Sequence, residues 1–150
     1  MEKVKNLKYL KMVSENDIDL FQIKQKYNDL NVSKYLSVSD NYFRYVTSTK
    51  NVFYYKVFNN EQLIGTLHIE KQENVLNLAI LVFPEFQNAG YGTKIINDVQ
   101  NDIFKFNFER IEISIDKENF ASIKLFEKTG FKLLSEEGEL LNYGYVTTSD

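Results

Sequence analysis

Apolar residues recur at two different spacings along this 150-residue chain, and each change of spacing marks an element. Residues 7–13, "LKYLKMV", alternate loosely and predict a first strand. In "SENDIDLFQIKQKYN" the apolar positions Leu20, Ile23 and Tyr27 recur at helical spacing. Ser14 stands as an N-cap and acids fill the first turn, so a helix is predicted from that point. Residues 31–39 predict a short second helix. "NVFYYKVF" (51–58) and "QLIGTLHIE" (62–70) flank the turn signal "NNE" and predict a hairpin. In its second strand Leu63, Gly65, Leu67 and Ile69 share one face, and Ile64, Thr66, His68 and Glu70 share the other.

The run "NVLNLAILVF" (74–83) is nearly all apolar, which predicts a central strand covered on both faces. From about Ala89 to Phe106 the period becomes helical, with Ile95, Val99, Ile103 and Phe106 as the stripe. "RIEISID" (110–116) alternates cleanly. "NFASIKLFEKTGF" (119–131) predicts another helix, with Asn119 as N-cap and Gly130 just past its end. "FKLL" and "LLNYGYV" predict two closing strands. The order β α α β β β α β α β β is that of an α/β protein with a mixed sheet, in a single domain over residues 1–150.

Composition narrows the function. Ten Tyr and twelve Phe with no Trp supply the core. A net charge of −3 argues against a nucleic-acid groove, which needs a strong basic patch. The absence of cysteine excludes disulfides, thiolate metal sites and Cys nucleophiles, and the single histidine, His68, excludes a multi-histidine metal site within one chain; no metal is expected. No run approaches the roughly 18 apolar residues of a membrane span. The N-terminal segment "MEKVKNLKYLKMV" lacks the apolar core of a signal peptide. A soluble cytoplasmic protein with no membrane partner is the expectation.

Two of the six glycines, Gly90 and Gly92, fall in "FQNAGYG" (86–92), between the apolar strand and the helical stripe. The first N–H groups of a helix lack intrahelical partners and sit at the positive end of the dipole, which suits a phosphate. Glycine allows close backbone approach and positive φ. A diphosphate therefore fits across the amides of Asn88 to Thr93. The same spacing is equally that of a plain turn with one glycine kept for packing. A dinucleotide fold fits less well, because the third glycine is missing and the pair falls past mid-chain.

These residues resemble the GCN5-related N-acetyltransferase (GNAT) family. Its hallmark Q/R-x-x-G-x-G/A reads here as Gln87, Asn88, Ala89, Gly90, Tyr91, Gly92. Its second hallmark, an Asn opening a helix that ends "Y-E-K-x-G-F", reads as Asn119 and then "LFEKTGF". The resemblance implies a mixed sheet flanked by helices and splayed between its fourth and fifth strands. It further implies that the Gln87–Gly92 loop and Thr93 bind the pyrophosphate of acetyl-CoA. The pantetheine arm would pair with the main chain of Ile80, Leu81 and Val82, and Asn119 and Phe126 would line the cofactor. The implied activity is transfer of an acetyl group from acetyl-CoA to a primary amine by direct attack in a ternary complex. The acceptor, a small molecule or a protein N-terminus, is left undefined, and a homodimer is left open.

The acid–base half of the family's site departs from its pattern. The position of the family's proton-donating Tyr holds Phe126, which has no proton to give. The position of one family base, five residues before the Asn, holds Ser114, and another falls near Leu76 and Asn77. The remaining catalytic candidates are Glu70 (beside His68 on its face), Glu112, Asp116 and Tyr143. The alternative is a non-catalytic acyl-CoA-binding or regulatory module. The wall that selects the acceptor is expected from residues 14–50 and the last strands, where the aromatic cluster "NYFRYV" (41–46) serves either the wall or the core.

Overall fold

A computed structural model describes residues 6–36 and 38–147. The first five residues of the N-terminal segment, Ser37 of the expected second helix and residues 148–150 lie outside the described residues. Seven strands form one sheet: β1 (Lys8–Lys11), β2 (Val52–Asn59), β3 (Gln62–Gln72), β4 (Val75–Val82), β5 (Arg110–Asp116), β6 (Lys132–Glu137) and β7 (Leu140–Val146). Their spatial order is β1-β2-β3-β4-β5-β7-β6. β4 and β5 run parallel and every other neighbouring pair is antiparallel, so the sheet is mixed.

Helices cover both faces. On one lie α1 (Leu20–Tyr27), α2 (Leu30–Ser33) and α3 (Tyr42–Ser48). Leu20, Ile23, Val32, Phe43 and Val46 from these helices pack with Val52, Tyr54, Leu63, Leu81 and Phe83. On the other face lie α4 (Tyr91–Gln100) and α5 (Phe120–Lys128). There Ile95, Ile96, Val99 and Phe126 pack with Leu67, Ile69, Leu76, Leu78, Ile111 and Ile115. β4 supplies both clusters, Leu76 and Leu78 to one and Leu81 to the other.

Four expectations need correction. The first helix starts at Leu20, because the acids before it are occupied elsewhere. Asp17 and Asp19 hold the buried Lys56 ammonium at 3.0 and 2.8 Å, and Ser14 caps only a local turn, its Oγ accepting from the Asn16 N–H. The segment expected to form one helix over 31–39 gives α2 alone, and a further helix, α3, follows where none was expected. The helix expected through Phe106 ends at Gln100. Beyond it Asp102, Lys105 and Asn107 adopt positive φ, the Asp102 carboxylate accepts from the Phe106 and Asn107 amides, and Ile103 is exposed.

The fourth correction concerns the faces of β3. The pairing of β2 with β3 slips by one residue between Val57 and Phe58. A bulge of this kind turns neighbouring side chains to opposite sides of their expected places. Leu63 therefore packs with the α1–α3 cluster and Ile64 with the α4–α5 cluster. Past the bulge the alternation recovers, which leaves Thr66, His68 and Glu70 on the α1–α3 side.

Candidate functional site

The sheet opens in its middle. β4 pairs with β5 only at Val75–Arg110, Leu76–Ile111 and Asn77–Glu112, although β4 runs on to Val82 and β5 to Asp116. Beyond Asn77 the strands part. Strand alternation decides which groups of β4 face the opening. The Phe83 N–H bonds the Ile64 carbonyl at 2.9 Å, on the β3 side. Leu81 and Ala79 follow Phe83 in facing β3, and Ile80 and Val82 turn their amides and carbonyls toward the opening. Of the three residues expected to meet a pantetheine arm, Leu81 has its main chain committed to β3.

A loop and a helix start lie just past the free end of β4. Pro84–Phe86 form a single 3-10 turn, and Gln87 folds back so that its side-chain amide donates to the Val82 carbonyl at 3.0 Å. Asn88 and Gly90 both take the left-handed conformation, at φ +64° and +89°. Gly90 is the N-cap of α4 and has no side chain with which to cap it. The Lys94 N–H is the first to close a helical bond, onto the Gly90 carbonyl at 3.1 Å, so the amides of Tyr91, Gly92 and Thr93 have no intrahelical partner. The Tyr91 hydroxyl accepts from the Asn59 side-chain amide at 2.7 Å. Gly92 has a packing role, since a Cβ there would lie 2.8 Å from Leu125 Cδ2 of α5. Asn119 caps α5 by accepting from the Ser122 N–H at 3.3 Å.

Two cavities adjoin the open part of β4 and share Ala79 as a wall. One, of about 290 Å³, lies in the opening and is lined by Asn77, Leu78, Ala79, Glu112, Ile113, Ser114 and Asn142. The other, of about 110 Å³, lies under α1 and α3; Tyr27, Tyr42, His68, Ala79 and Ile80 are among its walls.

The catalytic candidates do not gather in one place. Glu112 lines the opening and is paired with Arg110 at 2.5 Å. The Asp116 carboxylate accepts from the Glu118 N–H at 2.9 Å, in the turn before α5. Tyr143 is buried in the α4–α5 core with its hydroxyl donating to Glu127 at 3.0 Å. Burial, reinforced by that carboxylate, raises its pKa and keeps it protonated. Phe126 is 2% exposed, packs edge-on against Phe131 and lines neither cavity.

Glu70 stands apart from these three. It accepts a hydrogen bond from the Tyr45 hydroxyl and reaches within 3.6 Å of His68 Nε2. His68 Nδ1 is 2.8 Å from the Tyr42 hydroxyl. Burial lowers the His68 pKa, against the opposing pull of Glu70, so the ring is neutral at pH 7. Tyr42 and Tyr45 are residues that the periodicity did not separate from the core. The signal was present in "NYFRYV": one turn of helix sends Phe43 and Val46 into the core and Tyr42 and Tyr45 toward β3.

Among the described residues no helix is long and apolar enough to cross a membrane, and no three metal-ligating side chains gather. No curated protein matches the chain in sequence. Solved structures match its fold. Spermidine N-acetyltransferase from Vibrio cholerae, in complex with CoA and spermine, is 17% identical with a TM-score of 0.77, over 94% of this chain and 95% of that one. Campylobacter jejuni N-acetyltransferase PseH, in complex with acetyl coenzyme A, is 16% identical with a TM-score of 0.72, over 95% and 100%. Ribosomal-protein-S5-alanine acetyltransferase from Vibrio fischeri is 14% identical with a TM-score of 0.78, over 97% and 96%. The model of the acetyltransferase (GNAT) domain matches residues 8–132, and with the splayed sheet and the glycine loop at its open end, the chain belongs to the GNAT acetyltransferase-domain family.

Proposed function

We propose that the protein is an N-acetyltransferase that moves the acetyl group of acetyl-CoA to the primary amine of an acceptor, with both substrates bound together. One observation carries this reading: the edge of β4 freed at Asn77 runs directly into a helix N-terminus with unpaired amides. Acetyl-CoA has the chemistry for both parts, amides along its arm and a pyrophosphate beyond them. Ile80 and Val82 would bond the arm as strand addition does. The amides from Asn88 to Thr93 would hold the pyrophosphate. Gln87, now bonded to the Val82 carbonyl, would yield that acceptor or bridge beside it. Asn119 keeps its NH₂ group for the ligand while its oxygen caps α5.

The residues' part in the reaction is positional. Holding the thioester in the opening and the amine at Ala79 brings the reacting atoms together, and such placement alone can supply roughly 7–11 kcal/mol of the barrier. A main-chain N–H facing the opening is the available donor for the developing oxyanion.

A second reading, a non-catalytic acyl-CoA-binding module, is favoured by one observation, the buried phenyl ring at position 126 where the family's acid would stand. Release of free CoA from acetyl-CoA, followed with a thiol reagent over a panel of primary amines, separates the two. Amine-dependent thiol release is the expected result. Tight binding of acetyl-CoA with no release for any amine would select the binding module.

A further inference from the structure

His68 Nε2 is buried and has no hydrogen-bond partner among the described residues, and no other buried side-chain nitrogen or oxygen among them is left so. A buried polar atom without a partner is costly and calls for an explanation. This one belongs to the chain's only histidine, which stands opposite Ala79 in the pairing of β3 with β4. Ala79 is the residue shared by the two cavities. The imidazole is therefore one strand away from the opening, on the wall of the smaller cavity.

Its neighbours form a line. The Tyr42 hydroxyl is 2.8 Å from Nδ1, and Glu70 Oε2 is 3.6 Å from Nε2, an ion-pair distance too long for a hydrogen bond. Tyr45 holds Glu70 from the outer side. A carboxylate beyond Nε2 favours the tautomer with its proton there, which leaves Nδ1 to accept from Tyr42. Other titratable groups facing His68 are Tyr27, on the same cavity wall, and Tyr54 of β2, its ring centroid 6.2 Å away. Both are held protonated, chiefly by burial. Among the described residues no Lys or Arg bonds to Glu70 or His68.

We propose that the smaller cavity receives the acceptor amine and that Tyr42, His68 and Glu70 form a relay that takes its proton; this rests on the acetyl-transfer reading above. The amine arrives as an ammonium. Tyr42 Oη accepts one of its protons while passing its own to His68 Nδ1, and the imidazolium so formed faces the Glu70 carboxylate. The freed nitrogen attacks the thioester carbonyl carbon, the new C–N bond forms and the C–S bond breaks. The second nitrogen proton leaves with the thiolate as the CoA thiol, and the relay returns the first to solvent. The net products are the amide, the thiol and one proton. Tyr42 is the group that touches the amine, and Glu70 is a positioning residue. The remaining walls include Leu36, Val38, Ile80 and Leu81. The acceptor class is therefore a primary amine on an apolar group, because a carboxylate beside the amine would meet these side chains with no cation to pair it.

The test compares wild type with Tyr42→Phe, His68→Gln and Glu70→Gln, using n-butylamine and benzylamine as acceptors and glycine as the carboxylate-bearing control. Titration calorimetry with acetyl-CoA accompanies each rate. With acetyl-CoA affinity within about threefold of wild type, Tyr42→Phe and His68→Gln are expected to lower kcat/KM by roughly 10²-fold or more. His68→Gln is also expected to remove the acid limb of the pH profile. Glu70→Gln moves that limb to lower pH, because the lost carboxylate had raised the imidazole's affinity for protons. The single histidine makes its ¹⁵N imidazole signals unambiguous, and they are expected to report Nε2–H at neutral pH in wild type. That measurement stands even where a variant fails to fold. An unchanged acid limb in His68→Gln, an Nδ1–H tautomer, or glycine preferred over n-butylamine overturns the relay while acetyl transfer stands. A wild type that binds acetyl-CoA and acetylates none of the three amines overturns the relay and favours the binding module. A wild type that does not bind acetyl-CoA overturns the parent reading.

Discussion

Gly92 and Leu125 are in close contact: a Cβ at position 92 would lie 2.8 Å from Leu125 Cδ2, so the leucine must turn aside to admit a methyl group. The two glycines of the loop therefore serve different ends, one setting the backbone and the other letting α4 approach α5. Gly92→Ala is expected to stay within about 1 kcal/mol of wild type, because the displaced atom ends a half-buried, flexible side chain and alanine is the better helix former. In a Leu125→Ala background the same change is expected to stabilise, by up to about 1 kcal/mol of helix propensity, since the clashing methyl is gone. Urea unfolding of the four proteins in this double-mutant cycle measures the coupling. Strict additivity would show that the two side chains do not compete for space.

Gly90 is constrained by conformation. At φ +89° any residue with a Cβ is strained, Asn least and β-branched residues most. Gly90→Asn is expected to retain most stability. Gly90→Val is expected to lose more, by about 1–2 kcal/mol for the left-handed region alone. Gly90→Glu adds a negative charge where the pyrophosphate would sit, and is expected to remove acetyl-CoA binding from a protein that circular dichroism shows to be folded. Retained affinity in that folded variant would place the anion site elsewhere.

The glycine loop and the closing helix were legible in sequence because their signals are local. Gly90 at a helix N-cap, Asn119 at another and Gly130 just past a helix end each do what their residue type does best. The errors arose where tertiary contacts override local pattern. α3 is hard to read because it is short: its polar stripe is only Arg44 and Ser48, and Tyr45 interrupts the exposed side. The slip between Val57 and Phe58 leaves no trace in composition, yet it sends Leu63 and Ile64 to opposite faces from those expected. The stripe through Ile103 and Phe106 continues in sequence while the backbone turns away at Asp102. Tyr42 and His68 lie 26 residues apart in the chain, and only the packing of α3 on β3 joins them.

Phe126→Tyr is expected to destabilise the apo protein by about 1–3 kcal/mol, the cost of burying a hydroxyl without a partner. Phe126 is 2% exposed and its ring meets Phe131 rather than a cavity. No gain in turnover should accompany the loss. Thermal melting and the thiol-release rate together check this. A stable variant with faster turnover would mean that position 126 reaches the thioester.

His68 makes stability sensitive to mild acid. Burial is the main cause of its lowered pKa, with Glu70 opposing. The unfolded chain therefore takes up a proton at a higher pH than the folded protein does. Full stability is present above the ordinary histidine range near 6.5, and is lost as pH falls toward and through the lower native value. The melting temperature of wild type is expected to fall more steeply between pH 7 and pH 5 than that of His68→Gln. Parallel curves would show that the imidazole is as well solvated folded as unfolded.

The most direct test of acetyl-CoA lying along the freed edge of β4 is residue-resolved amide hydrogen exchange, measured by NMR with and without acetyl-CoA. Alternation assigns the Ile80 and Val82 amides to the opening and the Leu81 amide to β3. Acetyl-CoA is expected to slow exchange at Ile80 or Val82 and at amides between Asn88 and Thr93, with Leu81 already slow and unchanged. Binding that protects none of these amides, or that alters Leu81 alone, would contradict it.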